Sequence, residues 1–382
     1  MRIRSTRIYI EEELIPAVLE IQGSAITDIL PYDTGGIDCD YGDALISPGF
    51  IDIHCHGAYG FDTNSADPEG LRNWAKNIPS EGVTGFLATT VTDNRDTLLN
   101  ALRNVDHVCS THHPGSDGAA ILGVHLEGPY IDPEHAGAQP ISAIKEPDIS
   151  EFEEYCTASG NRIRIVTLAP EKDTGHALIR YCREHGIVPS IGHTGASFAE
   201  AEQAIHDGAL SVTHTFNAMT PFKHRENGTA GAALRHADVY SEIICDTRHV
   251  SADALHIFFT CKDKNHAVMI SDSLMCKGFP AGTRFVFGGQ NIEIAPDGTA
   301  FLYETADRTL AGSTMKMNEG LRNLITKADV PLVKALNACT INPASLLGLD
   351  HTGMIRKGYD ADITVLDENF EVLAVYCKGI RQ

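Results

Sequence analysis

The sequence contains no run of about 20 apolar residues, which is the length that a membrane-spanning helix needs. Residues 1–5 also lack the apolar core and the small-residue cleavage site of a secretory signal. Positive charge is scarce, because 30 Lys and Arg stand against 51 Asp and Glu, a formal net charge of −21. An acidic surface repels nucleic acids and anionic membranes. We therefore expect a cytoplasmic protein that binds neither of them.

Cysteine pairs of the Cys-x-x-Cys type are missing, although the chain has ten cysteines. Scattered cysteines in a long chain with no secretion signal are typical of reduced thiols. Internal repeats are absent, and no Gly-x-Gly-x-x-Gly follows the first strand-like run, which disfavours solenoids and dinucleotide-binding folds. What is present is a chain of 382 residues, 43% of them apolar, which is enough for a large core.

Eight short apolar runs recur along the chain, and helix-like stretches follow most of them. The runs lie at residues 44–54, 85–90, 121–127, 163–169, 187–193, 211–214, 243–246 and 267–272. We predict helices over 68–78, 95–110, 174–185, 197–207 and 252–260, the fourth beginning with a capping box of Ser197 and Glu200. Strands that alternate with helices predict a parallel sheet. Eight such units favour an α/β fold of the (β/α)8 TIM-barrel type over an open doubly wound sheet.

The two ends of the chain differ from this middle part. Residues 1–46 and 353–382 alternate short apolar runs with turn residues and show no convincing helix. Two β-rich ends that flank one barrel are expected to pair into a single small β-sandwich domain. Residues 47–352 would then form the barrel domain. A β insertion is expected near 282–305, followed by helices over 314–328 and 332–338.

Several apolar runs end in polar residues, and in such barrels the active site lies at the carboxyl ends of the strands. His54 and His56 are two residues apart, so both imidazoles point to one side of an extended chain. An isolated His-x-His is more often an ordinary pair in a loop, and a single His that ends a strand is more often structural. Convergence of several such groups on one rim instead indicates a metal site. The groups are His54, His56, Glu127, His193, His214 and Asp272.

Nitrogen and carboxylate oxygen ligands suit zinc, iron, manganese or cobalt better than magnesium or calcium. We expect one or two such divalent ions per subunit. A catalytic metal lowers the pKa of a bound water molecule and polarises a carbonyl group. A nearby carboxylate that is not a ligand, such as Asp272, can take a proton from that water and pass it to a leaving nitrogen. The residues therefore indicate metal-assisted hydrolysis.

Longer motifs carry a resemblance to a known family. Residues 48–57, PGFIDIHCHG, are similar to the lead-in of the amidohydrolase superfamily. Within it, the chain resembles the N-acetylglucosamine-6-phosphate deacetylases over essentially its whole length. The motifs are HLEGP at 125–129, GHT at 192–194, THTFNAM at 213–219, CDTRHV at 245–250 and LAGS at 310–313.

The resemblance implies a role for individual residues. Glu127, His193 and His214 match the metal ligands shared by the family, and His54 and His56 match a pair that holds a second metal in some members. Asp272 matches the catalytic acid and base. The residues implied in substrate binding are Ala138, Gln139, Asn217, Ala218, Arg225, Asp246, His249, Leu310, Ala311 and Gly312. Since members are commonly homodimers, the resemblance also implies that Arg225 reaches the site of a neighbouring subunit.

Four positions depart from the family pattern. Gln139 stands where some members carry a His that helps to polarise the acetyl carbonyl, and Gln can donate a hydrogen bond but carries no charge. Thr247, Ser273 and Thr215 fall where Gly, Ala and Leu, respectively, are usual. None of the four removes a metal ligand or the catalytic carboxylate. The reaction class is unaffected, whereas the fine substrate preference is open.

The implied reaction is hydrolysis of N-acetyl-D-glucosamine 6-phosphate to D-glucosamine 6-phosphate and acetate by a metal-activated water, in amino-sugar catabolism. The phosphate would need local cations, and the segment around Arg225 is basic within an acidic chain, although a lone Arg in a loop is usually only solvated. Two alternatives stay open. One is another amidohydrolase, such as a deacetylase of N-acetylgalactosamine 6-phosphate, and the other is a barrel that binds a sugar phosphate without turnover.

Overall fold

A computed structural model describes residues 1–303 and 309–382. Its centre is a parallel sheet of eight strands that pair in the order in which they occur along the chain. The strands are Phe50–Cys55, Val83–Thr90, Ala120–Glu127, Ile163–Leu168, Val188–Ile191, Ser211–Val212, Tyr240–Ile244 and Ala267–Ile270. Hydrogen bonds from Asp272 N to His54 O and from His56 N to Ser273 O, both 2.8 Å, join the last strand's end to the first. The expected α/β barrel is confirmed.

Helices surround the barrel. The α-helices are Pro68–Asn77, Arg95–Cys109, Ile149–Ala158, Ala177–Glu184, Phe198–Asp207, Gly228–Arg235, Ala252–Cys261, Met317–Thr326, Leu332–Cys339 and Ile341–Leu346. Short 3₁₀ helices are Thr63–Ser65, Ile78–Glu81, Pro133–His135, Ile141–Ala143, Pro170–Lys172 and Thr174–His176. The capping box of Ser197 and Glu200 is present. Among the described residues, no helix is long and apolar enough to cross a membrane.

Three predictions of secondary structure were wrong in detail. The helix expected over 174–185 begins only at Ala177, because Gly175 and His176 have φ of 63° and 52°, outside the right-handed helical region. The run expected as one strand over 44–54 is two strands that belong to different sheets. The helices Ile149–Ala158, Gly228–Arg235 and Ile341–Leu346 were not predicted.

Both chain ends contribute to a second sheet, separate from the barrel. Its strands are Arg2–Ile10, Glu13–Gln22, Ala25–Pro31, Cys39–Asp40, Leu45–Pro48, Ile363–Leu366, Val372–Cys377 and Ile380–Arg381. The strand Leu45–Pro48 connects the two ends, because it pairs in parallel with Arg2–Ile10 and antiparallel with Ile363–Leu366. Apolar residues of this second sheet form a buried cluster that is separate from the barrel core. The domain boundaries proposed at residues 46 and 353 stay a prediction.

A three-stranded antiparallel sheet follows the eighth barrel strand and lies beside the barrel mouth. Its strands are Arg284–Phe287, Gln290–Ile294 and Ala300–Leu302. Gln290 Nε2 donates a hydrogen bond of 2.9 Å to Ala138 O, and the Phe287 ring meets the His56 ring edge-on at 5.2 Å. Residues 304 and 305, the end of the insertion expected over 282–305, lie outside the described residues. The sheet therefore forms part of the wall around the candidate site.

A buried ion pair lies next to the first barrel strand. Lys277 Nζ is 2.9 Å from Glu81 Oε2, and both side chains are fully buried. Burial by itself lowers the pKa of Lys277, but the carboxylates of Glu81 and Asp52 outweigh it and raise that pKa above its ordinary value. Tyr59 donates a hydrogen bond of 2.6 Å to the other oxygen of Glu81. Both oxygens of Glu81 therefore have partners. Loss of either Lys277 or Glu81 would leave the other as a buried group without its ion partner.

Substitution of Lys277 by Met should destabilise the fold by about 3–5 kcal/mol, because Glu81 would be left buried without its ion partner. Urea unfolding followed by circular dichroism measures this loss. Lys357→Met is the matched control, since the pair of Lys357 with Asp28 is exposed and worth at most about 1 kcal/mol. Equal stability of the two variants would contradict the role given to the buried pair.

Candidate functional site

The candidate ligands lie where the barrel strands end. His193, His214 and Asp272 each come two residues after the last residue of the fifth, sixth and eighth strands. All three have left-handed backbone conformations, with φ of 47°, 27° and 50°. Non-glycine residues adopt this region at an energetic cost, and such residues concentrate at functional sites. The shared turn therefore places three side chains from separate strands in the barrel mouth.

Glu127, His193 and His214 form the first donor group. Glu127 Oε1 lies 3.2 Å from His193 Nε2 and 3.1 Å from His214 Nε2, and the two ring nitrogens are 3.1 Å apart. All three residues are buried. Three donor atoms from three strands thus face one common point. The expectation that these residues come together is met.

His54, His56 and Asp272 form the second donor group, directly beside the first. His56 Nε2 is 3.3 Å from Asp272 Oδ1 and also 3.3 Å from Glu127 Oε2. His54 Nε2 is 3.3 Å from Glu127 Oε1 and 3.6 Å from Asp272 Oδ1. An irregularity in strand pairing between Asp52 and Cys55 accompanies this placement of His54. The carboxylate of Glu127 therefore lies between the two groups.

The donor atoms fit a divalent cation. His54 Nε2 is buried and has no hydrogen-bond partner. The Nε2 atoms of His193 and His214 are 3.1 Å apart, so at most one of them can carry a hydrogen. Nitrogen and carboxylate oxygen donors within 4.8 Å of one another are the kind of set that zinc, iron, manganese or cobalt occupies. The chemistry of the set thus agrees with a metal centre of one or two ions.

Charge compensation dominates the electrostatics of the site. Burial by itself raises the pKa of Glu127, but the imidazoles of His54 and His193 outweigh it and hold that pKa well below its usual range. Burial opposes protonation of His56, yet hydrogen bonds to Asp272 and Glu127 raise its pKa to about 9. The same contact with His56, together with the charge of His54, overcomes burial and lowers the pKa of Asp272. Both carboxylates are therefore ionised at neutral pH and attract cations.

Residues behind the ligands orient them. His193 Nδ1 bonds to His135 O at 2.8 Å, which directs Nε2 of that ring toward Glu127. Thr92 N donates to Gln139 Oε1 at 2.7 Å, and Gln139 Nε2 donates to Glu127 Oε2. Both the oxygen and the nitrogen of the Gln139 amide therefore form hydrogen bonds. The second N–H of Nε2 takes no part in these two bonds. Gln139 was expected to contact substrate, and it also contacts a candidate ligand.

Two further buried residues were missed as parts of the site. Glu242 Oε2 lies 2.9 Å from His54 Nδ1. His125 engages Ile53 O and Thr167 Oγ1 with its two ring nitrogens, and burial followed by the charge of His54 lowers its pKa to about 4. A single Glu inside the apolar strand Tyr240–Ile244 was a signal in the sequence that could have revealed the first of them.

A cavity of about 470 Å³ opens above the donor groups. Among the residues that line it, those predicted to contact substrate are Ala138, Gln139, Asn217, Ala218, His249, Leu310 and Gly312. His249 Nδ1 bonds to Asp246 Oδ2 at 2.6 Å. Burial opposes protonation of His249, but Asp246 outweighs it and raises the pKa of His249 above its ordinary value. An imidazole whose protonated form is stabilised by Asp246 therefore borders the cavity.

Three predicted substrate residues lie outside the cavity lining. Asp246 supports His249 from behind, and Ala311 is fully buried. Arg225 is exposed in the loop over 221–227, away from the cavity wall. Contact between Arg225 and a ligand in this cavity would thus require movement of that loop or a neighbouring subunit. The cavity is lined in addition by Glu134, His135, Met219, Leu274, Phe287 and Thr309, which were not predicted.

Comparison with known proteins shows which family shares this arrangement. Residues 45–381 match the amidohydrolase family. An N-acetylglucosamine-6-phosphate deacetylase from Bacillus subtilis is 39% identical over 338 residues, 88% of this chain and 84% of that protein. An N-acetylgalactosamine-6-phosphate deacetylase from Escherichia coli O157:H7 is 31% identical over 379 residues, 99% of this chain and 98% of that protein. A variant of the Mycobacterium smegmatis N-acetyl-D-glucosamine-6-phosphate deacetylase, solved with N-acetyl-D-glucosamine-6-phosphate, superposes with a TM-score of 0.93 at 29% identity, covering 100% of this chain and 98% of that one.

Loss of a residue that only supports a metal ligand typically lowers metal affinity by roughly 10–100-fold. Substitution of Glu127 by Gln should lower zinc affinity by more than this, because the Glu127 carboxylate contacts both donor groups. Competition with a chromogenic chelator measures the affinity. Glu134→Gln is the matched control, since Glu134 lines the same cavity and bonds to none of the donor groups by its side chain. Wild-type zinc affinity in the Glu127 variant would rule out the proposed ligand set.

Proposed function

This chain belongs to the amidohydrolase family, and from that premise we propose that it hydrolyses the N-acetyl group of N-acetyl-D-glucosamine 6-phosphate to give D-glucosamine 6-phosphate and acetate. The observation that carries the proposal is the convergence of Glu127, His193 and His214 at the base of a cavity of about 470 Å³. The names of the relatives at 31–39% identity support the substrate class. A place in amino-sugar catabolism follows from that substrate.

The residues that would hold divalent ions are Glu127, His193 and His214 in one group, with His54 and His56 in the other. When bound, such an ion polarises the acetyl carbonyl and increases the acidity of water. The choice among zinc, iron, manganese and cobalt follows availability in the cell as well as ligand type.

Asp272 performs the proton transfers. Its carboxylate is ionised, because contacts with His56 and His54 lower its pKa, so it can accept a proton from the attacking water molecule. The water oxygen adds to the acetyl carbon, and the C–N bond then breaks. Asp272 returns the proton to the nitrogen as the amine leaves. Its position beside both donor groups, with Oδ1 3.3 Å from His56 Nε2, suits both steps.

The sugar and its phosphate would occupy the outer part of the cavity. His249, whose protonated form Asp246 stabilises, would supply a local positive charge, and the side chain of Asn217 and the backbone around Ala218 offer neutral hydrogen-bond partners. Arg225 from a partner subunit would complete the phosphate contacts if the protein is the expected homodimer. An acidic protein can bind this anion because the cations are local and the ligand is small.

The epimer N-acetylgalactosamine 6-phosphate is the second candidate substrate, since a relative aligned over 99% of this chain carries that activity in its name. Acetate release from both phosphorylated sugars and from unphosphorylated N-acetylglucosamine, by zinc-loaded protein, tests the proposal. We expect the highest kcat/KM with N-acetyl-D-glucosamine 6-phosphate. A higher value with the epimer would transfer the assignment to it. Tight binding without acetate release would instead favour a non-catalytic sugar-phosphate-binding protein.

Replacement of Asp272 by Asn should lower kcat by roughly 10²–10⁴-fold, because the amide cannot accept and return the proton. Zinc content and the melting temperature should stay close to those of the wild type, and atomic absorption and circular dichroism check them. Near-normal turnover in this variant would exclude Asp272 as the proton carrier.

Substrate affinity should fall as the pH rises through the pKa of His249. That pKa lies above its ordinary value, so the ring is charged at lower pH and loses its charge above that point. A charge-assisted hydrogen bond is about 1 kcal/mol stronger than a neutral one, so KM should rise about fivefold. The pH profile of KM is the measurement. His249→Gln should remove the rise, and an unchanged profile in that variant would contradict this role.

A further inference from the structure

Glu242 is a buried acidic residue in the barrel wall that the proposed chemistry does not use. It lies in the middle of the seventh barrel strand, Tyr240–Ile244, and its side chain is fully buried. Its Oε2 atom lies 2.9 Å from His54 Nδ1 and 3.3 Å from the backbone N of His214. One carboxylate oxygen thus contacts a member of each donor group. These contacts link the first, sixth and seventh strands.

We propose that Glu242 is a positioning residue, which holds the His54 ring with its proton on Nδ1 and its Nε2 lone pair directed at the divalent ion. An imidazole that binds a metal ion through Nε2 carries its single N–H on Nδ1, and the Glu242 carboxylate faces that atom and binds the N–H there. Nε2 then lacks a hydrogen. That atom is buried without a hydrogen-bond partner and lies 3.3 Å from Glu127 Oε1. The free lone pair is therefore in the place where a ligand atom is needed.

Among the described residues around His54, no other one can perform this task. The His125 ring packs edge-on against His54 at 4.5 Å, but its own nitrogens are engaged by Ile53 O and Thr167 Oγ1. Asp272 and Glu127 face the opposite nitrogen, Nε2. Glu242 alone among the described contacts of His54 reaches the Nδ1 atom.

Stability of the fold by itself does not explain a carboxylate at this position. Glu242 Oε1 is buried and has no hydrogen-bond partner. An unsatisfied buried oxygen costs free energy, and an apolar residue would avoid that cost. A role in the site explains why the chain has Glu here, because only an acceptor can orient the histidine in this way.

This inference rests on the proposed metal-dependent function, and zinc affinity tests it independently of turnover. Glu242→Leu, which removes the acceptor that faces Nδ1, should bind zinc about 10–100-fold more weakly than the wild type. The matched control is Glu202→Leu, which removes another Glu–His contact, that of Glu202 with His236 at 3.2 Å, outside the donor groups. Unchanged zinc affinity in the Glu242 variant would overturn the inference.

A double-mutant cycle separates action through His54 from a general effect on the barrel. In the His54→Ala background, Glu242→Leu should lose most of its effect on zinc affinity, because the residue that Glu242 positions is gone. The effect is the logarithm of the fold-change in zinc affinity that the Glu242 substitution causes. An effect in the His54→Ala background that is at least half of that in the wild-type background would overturn the inference.

A measurement on the wild type covers the case in which the Glu242 variant does not fold. Nitrogen-15 NMR of the zinc-loaded protein with labelled histidine should show the His54 proton on Nδ1 and zinc on Nε2, with assignment by comparison to the His54→Ala spectrum. Zinc on Nδ1, or a proton on Nε2, would overturn the inference. Failure of the wild type to release acetate while these results hold would refute only the proposed function.

Discussion

Compensation of the buried charge on Glu127 is the constraint on which the rest of the site depends. This carboxylate ends the third barrel strand and has four imidazoles within 3.3 Å of its oxygens: His54, His56, His193 and His214. A buried anion is stable only when opposite charge and hydrogen bonds surround it. The imidazoles come from the ends of the first, fifth and sixth barrel strands, and they meet at this carboxylate on the third strand because the sheet closes into a barrel. The left-handed turns after three strands are the local cost of that arrangement.

The same principle explains how an acidic protein can accommodate a phosphorylated substrate. The net charge of −21 describes the whole molecule, whereas a cavity is governed by the groups that line it. Asp246 contacts His249 at the cavity wall and raises the pKa of that ring, so an acidic side chain favours a local cation there. The terminal sheet and the three-stranded insertion are parts of the scaffold. The insertion places Phe287 against His56 and thereby closes one side of the site.

Sequence patterns predicted the barrel well where apolar periodicity was strong and failed where it was weak. The helix Gly228–Arg235 was missed because it consists largely of Gly and Ala, which carry little periodic signal, and its glycines disfavour a helix. In Ile149–Ala158 only Phe152 and Tyr155 are buried, which is too few for a clear stripe. The first strand-like run is divided at Gly49, where the chain passes from one sheet to the other and where a Cβ atom would collide with Thr84.

The candidate ligands and Asp272 could be predicted from the sequence alone, because a residue type at a strand end specifies its chemistry and the order of strands specifies the rim. The tertiary structure decided which atoms meet. Distances below 3.5 Å between Glu127 and residues 66 to 87 positions later depend on barrel closure, which local patterns do not encode. It also decided the place of Glu242, since contact between the seventh and first strands arises only when the chain folds back on itself. The sequence thus specifies which chemical groups are available, whereas their orientation depends on how the folded chain packs.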